Sequence, residues 1–234
     1  NMVLGITEHQ TIRNYLDKLS NSVPFLSWII RPDGKVPPIG DSEEKEVSTD
    51  LAKKINIRCF EEEKEGMEVF ADGYAIWKSN NDQFHMTLKS SNRGRFHRHD
   101  DDCSITLWKN GHNLILDSGL LYYQERDNDR RQVRSARGHS GYEIPSKRAL
   151  RDVFSEYAAC SRVWKSGASE AKASLGMYGA YTAERTVNHF GNEVLVTDNF
   201  GQDTLAEGIR LNFIVLDYWT IEQKKEAVHL SHPN

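Results

Sequence analysis

The sequence is poor in cysteine and holds no long apolar run. Three cysteines, Cys59, Cys103 and Cys160, stand far apart among 234 residues, without a Cys-x-x-Cys pair. An odd number at such spacings argues against a disulfide framework and against a cysteine-based zinc module; buried free thiols are expected instead. No stretch approaches the ~18 consecutive apolar residues of a membrane-spanning helix, and the first residues lack the charged-then-apolar pattern of a signal peptide. No membrane partner is expected. Asn1 ahead of Met2 reads as a tag remnant, on a chain that suits a piece of something longer. Dinucleotide fingerprint, P-loop and nucleophile elbow are missing too. With no recognisable nucleic-acid module and a formal net charge of -4, nucleic acid is not an expected partner.

What is present points to a folded, β-rich protein. Hydrophobic residues make up 38%, with Trp 5, Tyr 9 and Phe 9, enough to fill a sizeable core. Charge is uneven. From Asp41 to Glu68 there are ten acidic and five basic residues, whereas Arg126 to Arg151 carries eight Lys/Arg against three acidic residues. The basic stretch is either a solvated loop or an attractor for an anionic polymer.

Residues 7–30 read as helix, with Thr7 placed to cap it and Ile12, Leu16 and Leu19 at helical spacing. Three prolines and two glycines between Arg31 and Asp41 then impose an ordered linker. A short charged helix is expected near Ser42 to Ile55. From about residue 56 the pattern changes to short Val-, Ile- and aromatic-rich runs broken by Gly, Asn and Asp: Glu68–Lys78, Gln83–Ser90, Ser104–Lys109, Asn113–Asp117, Thr182–His189, Glu193–Asn199 and Ile209–Leu216. The expected fold is mainly β, an antiparallel β-sandwich or layered sheets with a short N-terminal helical segment, residues 1–55 preceding a β domain over 56–234.

One hairpin is legible in detail. Asn110-Gly111 calls for a two-residue type I′ turn, pairing Lys109 with His112, Leu107 with Leu114 and Ile105 with Leu116. Ile105, Leu107, Leu114 and Leu116 then share one face, and Ser104, Thr106, Trp108, Asn113, Ile115 and Asp117 the other.

The densest polar cluster is Arg95-Phe96-His97-Arg98-His99-Asp100-Asp101-Asp102. On a strand, His97 and His99 would point the same way. Paired imidazoles with a carboxylate brought from elsewhere suit a zinc-type site; on its own the pair is weak evidence and more often marks a surface beside a charged loop. Asp117 and His139 would complete a two-His, one-carboxylate set with His99. Strict alternation from the hairpin places Asp117 on the wrong face, so closure of the set requires a bulge or bend within Asp100 to Asp102.

Taken together, His97-x-His99-x-Asp101-x-x-Ser104, the Gly111 hairpin, Leu116-Asp117-Ser118-Gly119-x-x-Tyr122, Arg134-Ser135 and Gly138-His139-Ser140 resemble the heparinase II/III-like family of polysaccharide lyases. Gly138 and Ser140 stand where the family usually has Ala and Asn. The strands around Arg185-x-Val187 and Val194 to Asp198, and the linker Arg31 to Ser42, resemble the corresponding family segments. The resemblance implies the end of an (α/α) toroid over 1–55, followed by an antiparallel β-sheet domain, and β-elimination on a uronic-acid-containing polysaccharide. It implies a mainly structural divalent metal, zinc by preference, on His99, Asp117 and His139, with His97 as the catalytic-site histidine. An acidic polysaccharide is the implied partner, and the bacterial periplasm or the exterior the implied location. Arg130, Arg134, Arg137 and Tyr122 are candidates to contact substrate, Arg by its bidentate fork on carboxylate or sulfate. Homo-oligomer formation is left open. The toroid's Tyr, with its Asn or His partner, has no counterpart in the first ~55 residues, so turnover would require a longer parent or a partner.

Two other readings compete. A cupin-like metalloenzyme also uses His-x-His with a later His, but wants a Glu after the pair and a Pro-x-Gly before His139. A non-catalytic carbohydrate-binding β-sandwich would keep the metal and lose turnover. His9, His85, His112, His189, His229 and His232 read as ordinary residues. The tryptophans read as core, with Trp108 also able to stack on sugar.

Overall fold

The computed structural model describes residues 23–47, 64–91, 97–124, 126–150, 158–216, 220–224 and 227–231. Most of the helix expected over 7–30, the second half of the one near Ser42 to Ile55, and Cys59 lie outside the described residues. Residues 23–29 are helical. The linker after them folds into a small ribbon, β1 (Lys35–Val36) against β2 (Lys45–Glu46). The described start of the charged segment is therefore strand rather than helix. Arg31 explains it: its guanidinium binds Asp33 at 2.8 Å and Glu44 at 2.8 Å, closing the segment into a loop.

Five antiparallel strands form the first sheet: β3 (Glu65–Phe70), β4 (Tyr74–Ser79), β5 (Phe84–Lys89), β6 (Ser104–Lys109) and β7 (His112–Ile115), in that order. The run expected as one strand from Glu68 to Lys78 is a hairpin. It breaks at Gly73, which has φ +90 and lies so close to Ser90 that a Cβ would meet its carbonyl oxygen at 2.3 Å. β8 (Tyr142–Glu143) pairs with β13 (Arg210–Leu211). The second sheet runs β12 (Glu193–Phe200), β11 (Ala183–Phe190), β10 (Glu170–Ser174), β9 (Arg162–Lys165), and β14 (Thr220–Lys224) pairs with β15 (Ala227–Ser231). The expected strand Ile209–Leu216 is reduced to β13 and one bridge between Leu116 and Ile214. Two short helices, α1 (Asn128–Arg134) and α2 (Gln202–Glu207), occupy connections. Among the described residues no helix is long and apolar enough to cross a membrane.

Both faces of the first sheet are covered, and the pleat separates their chemistry. Ala75, Trp77, Met86, Leu88 and Ile105 face the second sheet and its Ala171, Ala173 and Val187. The opposite face meets the N-terminal segment: Ile76 packs on Ile29 and Ile30. Lys78 Nζ donates to the carbonyls of Ser27 (2.9 Å) and Ile30 (2.6 Å), and Nε2 of His85 lies 3.0 Å from the Trp28 carbonyl. Basic side chains of the sheet thus satisfy the helix's terminal carbonyls. Trp108 lies on this side, 3% exposed beneath the Arg31 guanidinium, and is not available to stack on sugar. Of the described cysteines, Cys103 is buried and Cys160 is exposed, contrary to the expectation of burial for both.

Candidate metal centre

The β6–β7 hairpin turns as its sequence demands: Asn110 has φ 49 and Gly111 φ 85, and Lys109 faces His112. The register then shifts between Leu107 and Trp108, so Leu107 faces Ile115 rather than Leu114. One extra residue on β7 puts Ile115 into the core and carries Asp117, two residues on, to the side that strict alternation denied it. A second irregularity lies where the sequence required one. Residues 97–103 are not a strand; they end in a turn in which Ser104 N donates to the Asp101 carbonyl at 3.2 Å and Cys103 has φ 60. His97 and His99 are therefore not aligned by a pleat.

His139 arrives by another route. The first part of the basic stretch forms helix α1, capped by Asp127, whose side chain accepts from the amides of Asp129 and Arg130. A 3₁₀ turn, Ala136–Gly138, follows and delivers His139. Ligand atoms of His99, Asp117 and His139 lie within 4.8 Å of one another, and all three residues are buried. His139 Nδ1 lies 2.7 Å from Asp117 Oδ2, and Asp117 Oδ1 accepts from Gly119 N at 3.0 Å.

The unpaired atoms test whether these residues fit a cation. His99 Nδ1 and His139 Nε2 are buried without a hydrogen-bond partner. A bare ring nitrogen inside a protein is costly unless something binds it. Two such nitrogens beside a carboxylate form a donor set that suits a divalent ion. The surroundings push the two rings in opposite directions. Burial, with the neighbouring His139 charge, pushes His99 down despite its bond to Asp41. For His139 burial is outweighed by the Asp117 carboxylate, and the pKa rises.

Around this group lies a layer of charged residues. Asp41, from the linker, accepts from three sides: His99 Nε2 at 2.8 Å, His97 Nδ1 at 2.8 Å and the Arg130 guanidinium. Burial pushes the Asp41 carboxyl up, but those three hydrogen bonds outweigh it and hold it at about 2. Sequence reasoning assigned Asp41 no role, although the linker that carries it is part of the family pattern; the chain turns just before it at Gly40, with φ +58. Also missed was buried Asp101, which pairs with Lys89; burial would raise its carboxyl, and the Lys89 charge brings it down.

The remaining predicted residues separate. His97 is the exposed member of its pair, with a side chain 65% exposed. Tyr123, 63% exposed, sits edge-on to it at 5.8 Å, and the Arg130 guanidinium lies 5.7 Å from the same tyrosine ring. Tyr122 is hydrogen-bonded to Asp127, which raises its pKa to about 12. Arg130 is buried, Arg134 donates to the Arg98 carbonyl at 3.0 Å, and Arg137 pairs with Glu143 at 2.7 Å. The departure at Gly138 has a steric cause: a Cβ there would meet the Val133 carbonyl oxygen at 2.2 Å and Ser118 Oγ at 2.8 Å. Ser140 is tied in on both sides, its Oγ donating to the Leu116 carbonyl and accepting from Ile214 N.

The model of the family described as "Heparinase II/III-like, C-terminal" matches residues 64–233. The chain belongs to this family. No curated protein matches it. Among solved structures, a heparinase III is similar with a TM-score of 0.70 at 18% identity, over 94% of this chain and 40% of that one. A heparinase III gene product aligns at TM-score 0.67 and 18% identity, over 92% and 36%. A mutant of heparan sulfate lyase HepC from Pedobacter heparinus aligns at 0.63 and 20%, over 80% and 33%. At such identities the likeness is one of fold. The heparinase II/III-like chain spans 33% to 40% of the length of these proteins, and its buried His99, Asp117 and His139 lie within the matched region.

Proposed function

We propose that this chain is the β-sheet portion of a lyase that cleaves a uronic-acid-containing polysaccharide by β-elimination. In that reaction a base removes the proton beside the uronate carboxyl, a carbon–carbon double bond forms, and the 4-linked sugar oxygen departs and takes up a proton. The observation that carries the reading is the division of labour in the His97–His99 pair. His99 is fully buried with a bare nitrogen among the candidate metal ligands, while His97 hangs from the same Asp41 carboxylate and faces solvent. An imidazole there can shuttle the proton or pair with the uronate carboxylate.

A divalent ion on His99, Asp117 and His139, zinc by donor type, would supply a fixed positive charge that ties three chain segments together. The chain's own groups do the rest. Asp41 and Tyr123 hold the His97 ring, and Arg137 and Tyr122 would contact anionic or hydroxyl groups of the polymer by exchanging their present partners, Glu143 and Asp127. Arg130 backs Tyr123, and Arg134 secures the backbone at Arg98. The acidic polysaccharide is proposed on the family's chemistry, and heparan sulfate, on which HepC acts by its description, is the first substrate to try.

The test joins this chain to a complete helical domain and follows the ultraviolet absorbance of unsaturated uronate released from heparan sulfate. Product should form, and His97→Ala should abolish it; undiminished turnover in that variant would overturn the role of His97. Saturable polysaccharide binding with no unsaturated product would favour the carbohydrate-binding reading instead.

A further inference from the structure

We propose that Asp41 is a positioning residue that sets the proton location on both histidines of the His97–His99 pair, and so couples the linker to the metal ligands and to the exposed histidine. The inference rests on the reading above, in which His99 holds a metal and His97 faces substrate.

A carboxylate only accepts hydrogen bonds. Each ring nitrogen at 2.8 Å from Asp41 must therefore carry its proton: Nε2 in His99, facing Oδ1, and Nδ1 in His97, facing Oδ2. The neutral His99 ring is then bare at Nδ1, the very atom that is buried without a partner. The short bond to Asp41 assigns this tautomer over the longer approach of Arg130 Nη1, 3.5 Å from the same nitrogen, and it leaves the orphan Nδ1 free to bind an ion. A carboxylate that orients a ligand histidine in this way raises its basicity toward the ion. In His97 the same logic leaves Nε2 bare and directed away from Asp41. In water the neutral ring prefers its proton on Nε2, so Asp41 reverses the default.

The surroundings of Asp41 explain how it holds two rings at once. The Arg130 guanidinium clamps Oδ1 from α1. The loop Pro38–Ser42 is pressed against Gly119, where a Cβ would meet Ser42 O at 2.6 Å and Pro38 Cβ at 2.7 Å, and Leu120 N donates to Ser42 O at 3.0 Å. Gly119 is two residues beyond Asp117, so the linker is seated on the chain that supplies the carboxylate ligand. His97 itself has φ 59, a conformation a non-glycine residue keeps only when its surroundings impose it; the bond to Asp41 is one such constraint. Were Asp41 there only to balance the Arg130 charge, neither ring tautomer would depend on it.

The experiment is a long-range proton–nitrogen correlation spectrum of the histidine rings in the zinc-loaded protein, with a chelator competition for zinc affinity, on the wild type and on Asp41→Asn. The wild type should show His97 protonated at Nδ1 and His99 at Nε2. Asp41→Asn should move the His97 proton to Nε2 and weaken zinc binding about tenfold or more. Wild-type His97 protonated at Nε2, or a variant with unchanged His97 resonances and unchanged zinc affinity, would overturn the proposal. If Asp41→Asn does not fold, the wild-type spectrum alone decides. A wild type that takes up no zinc would fail the metal reading of the site, and the His97 tautomer in that sample still upholds or overturns the role of Asp41.

Discussion

Arg185 of β11 lies directly opposite Asp198 of β12 and grips it through both edges of the guanidinium, Nε to Oδ1 at 2.9 Å and Nη2 to Oδ2 at 3.0 Å. Its remaining nitrogen, Nη1, donates to the carbonyls of Cys103 (2.8 Å) and Ser140 (3.0 Å). One buried side chain of the second sheet thereby fixes the turn after His99 and the residue after His139. Removing the carboxylate should leave a buried cation unpaired. Asp198→Ala is expected to cost roughly 3–5 kcal/mol, read by denaturant unfolding. A loss below about 1 kcal/mol, the size of an exposed pair, would show that the pair does not bear on stability.

The candidate ligands make a sharper claim. Elemental analysis should find one divalent ion per wild-type chain, His99→Ala and Asp117→Ala should each lose it, and the thermal midpoint should fall. Chelation should lower the wild-type midpoint toward that of His99→Ala and leave the variant's own midpoint unmoved. Metal retained in full by both variants would remove the site.

Gly138 tests packing behind the site. Gly138→Ala puts a methyl group against the Val133 carbonyl oxygen, 2.2 Å away, and Ser118 Oγ. Backbone cannot yield cheaply, so a cost of roughly 1–3 kcal/mol is expected, with weaker metal retention because His139 is the next residue. A variant as stable as the wild type, with full metal content, would show that the α1 end relaxes freely.

His85 predicts a pH dependence. Burial holds its pKa at about 3, against the ordinary 6.5, aided by the nearby Lys78 and Arg31 charges. The unfolded ring takes up a proton below its ordinary value and the folded ring does not, so the unfolded state binds more protons between those limits. Stability contributed by neutral His85 is complete above pH 6.5 and lost as pH falls toward 3, at about 1.4 kcal/mol per pH unit from this group. His85→Gln keeps a donor for the Trp28 carbonyl without the titration. Its stability should fall less steeply than the wild type's across that window in urea unfolding. Parallel profiles would overturn the account.

The readability of this sequence varied with the range of the forces involved. β6 matched its expected bounds, and the Asn110-Gly111 turn formed as read, because both follow from local backbone preference and alternation. β10 went unread: Glu-Ala-Lys-Ala-Ser carries no strand signature, and its alanines suit the close approach of one sheet to the other. Helix α1 was hidden because its arginines look like a solvated stretch until Asp127 caps it and Asp41 draws Arg130 inward. Likewise, strict alternation put Asp117 on the wrong side, since a register shift inside a hairpin is decided by what the core accepts, here Ile115 in place of Leu114.

By itself the sequence determined the β-rich character, the hairpin, and the family pattern that names His99, Asp117 and His139, all of which reside in local spacing and residue type. Only the tertiary structure decided that Asp41, far away in the chain, holds both His97 and His99, that Trp108 is covered, and that Arg185 braces both ligand loops. Such contacts join segments whose separation along the chain carries no periodic signal. They arise when burial forces charged groups to find partners wherever the packed sheets have brought them.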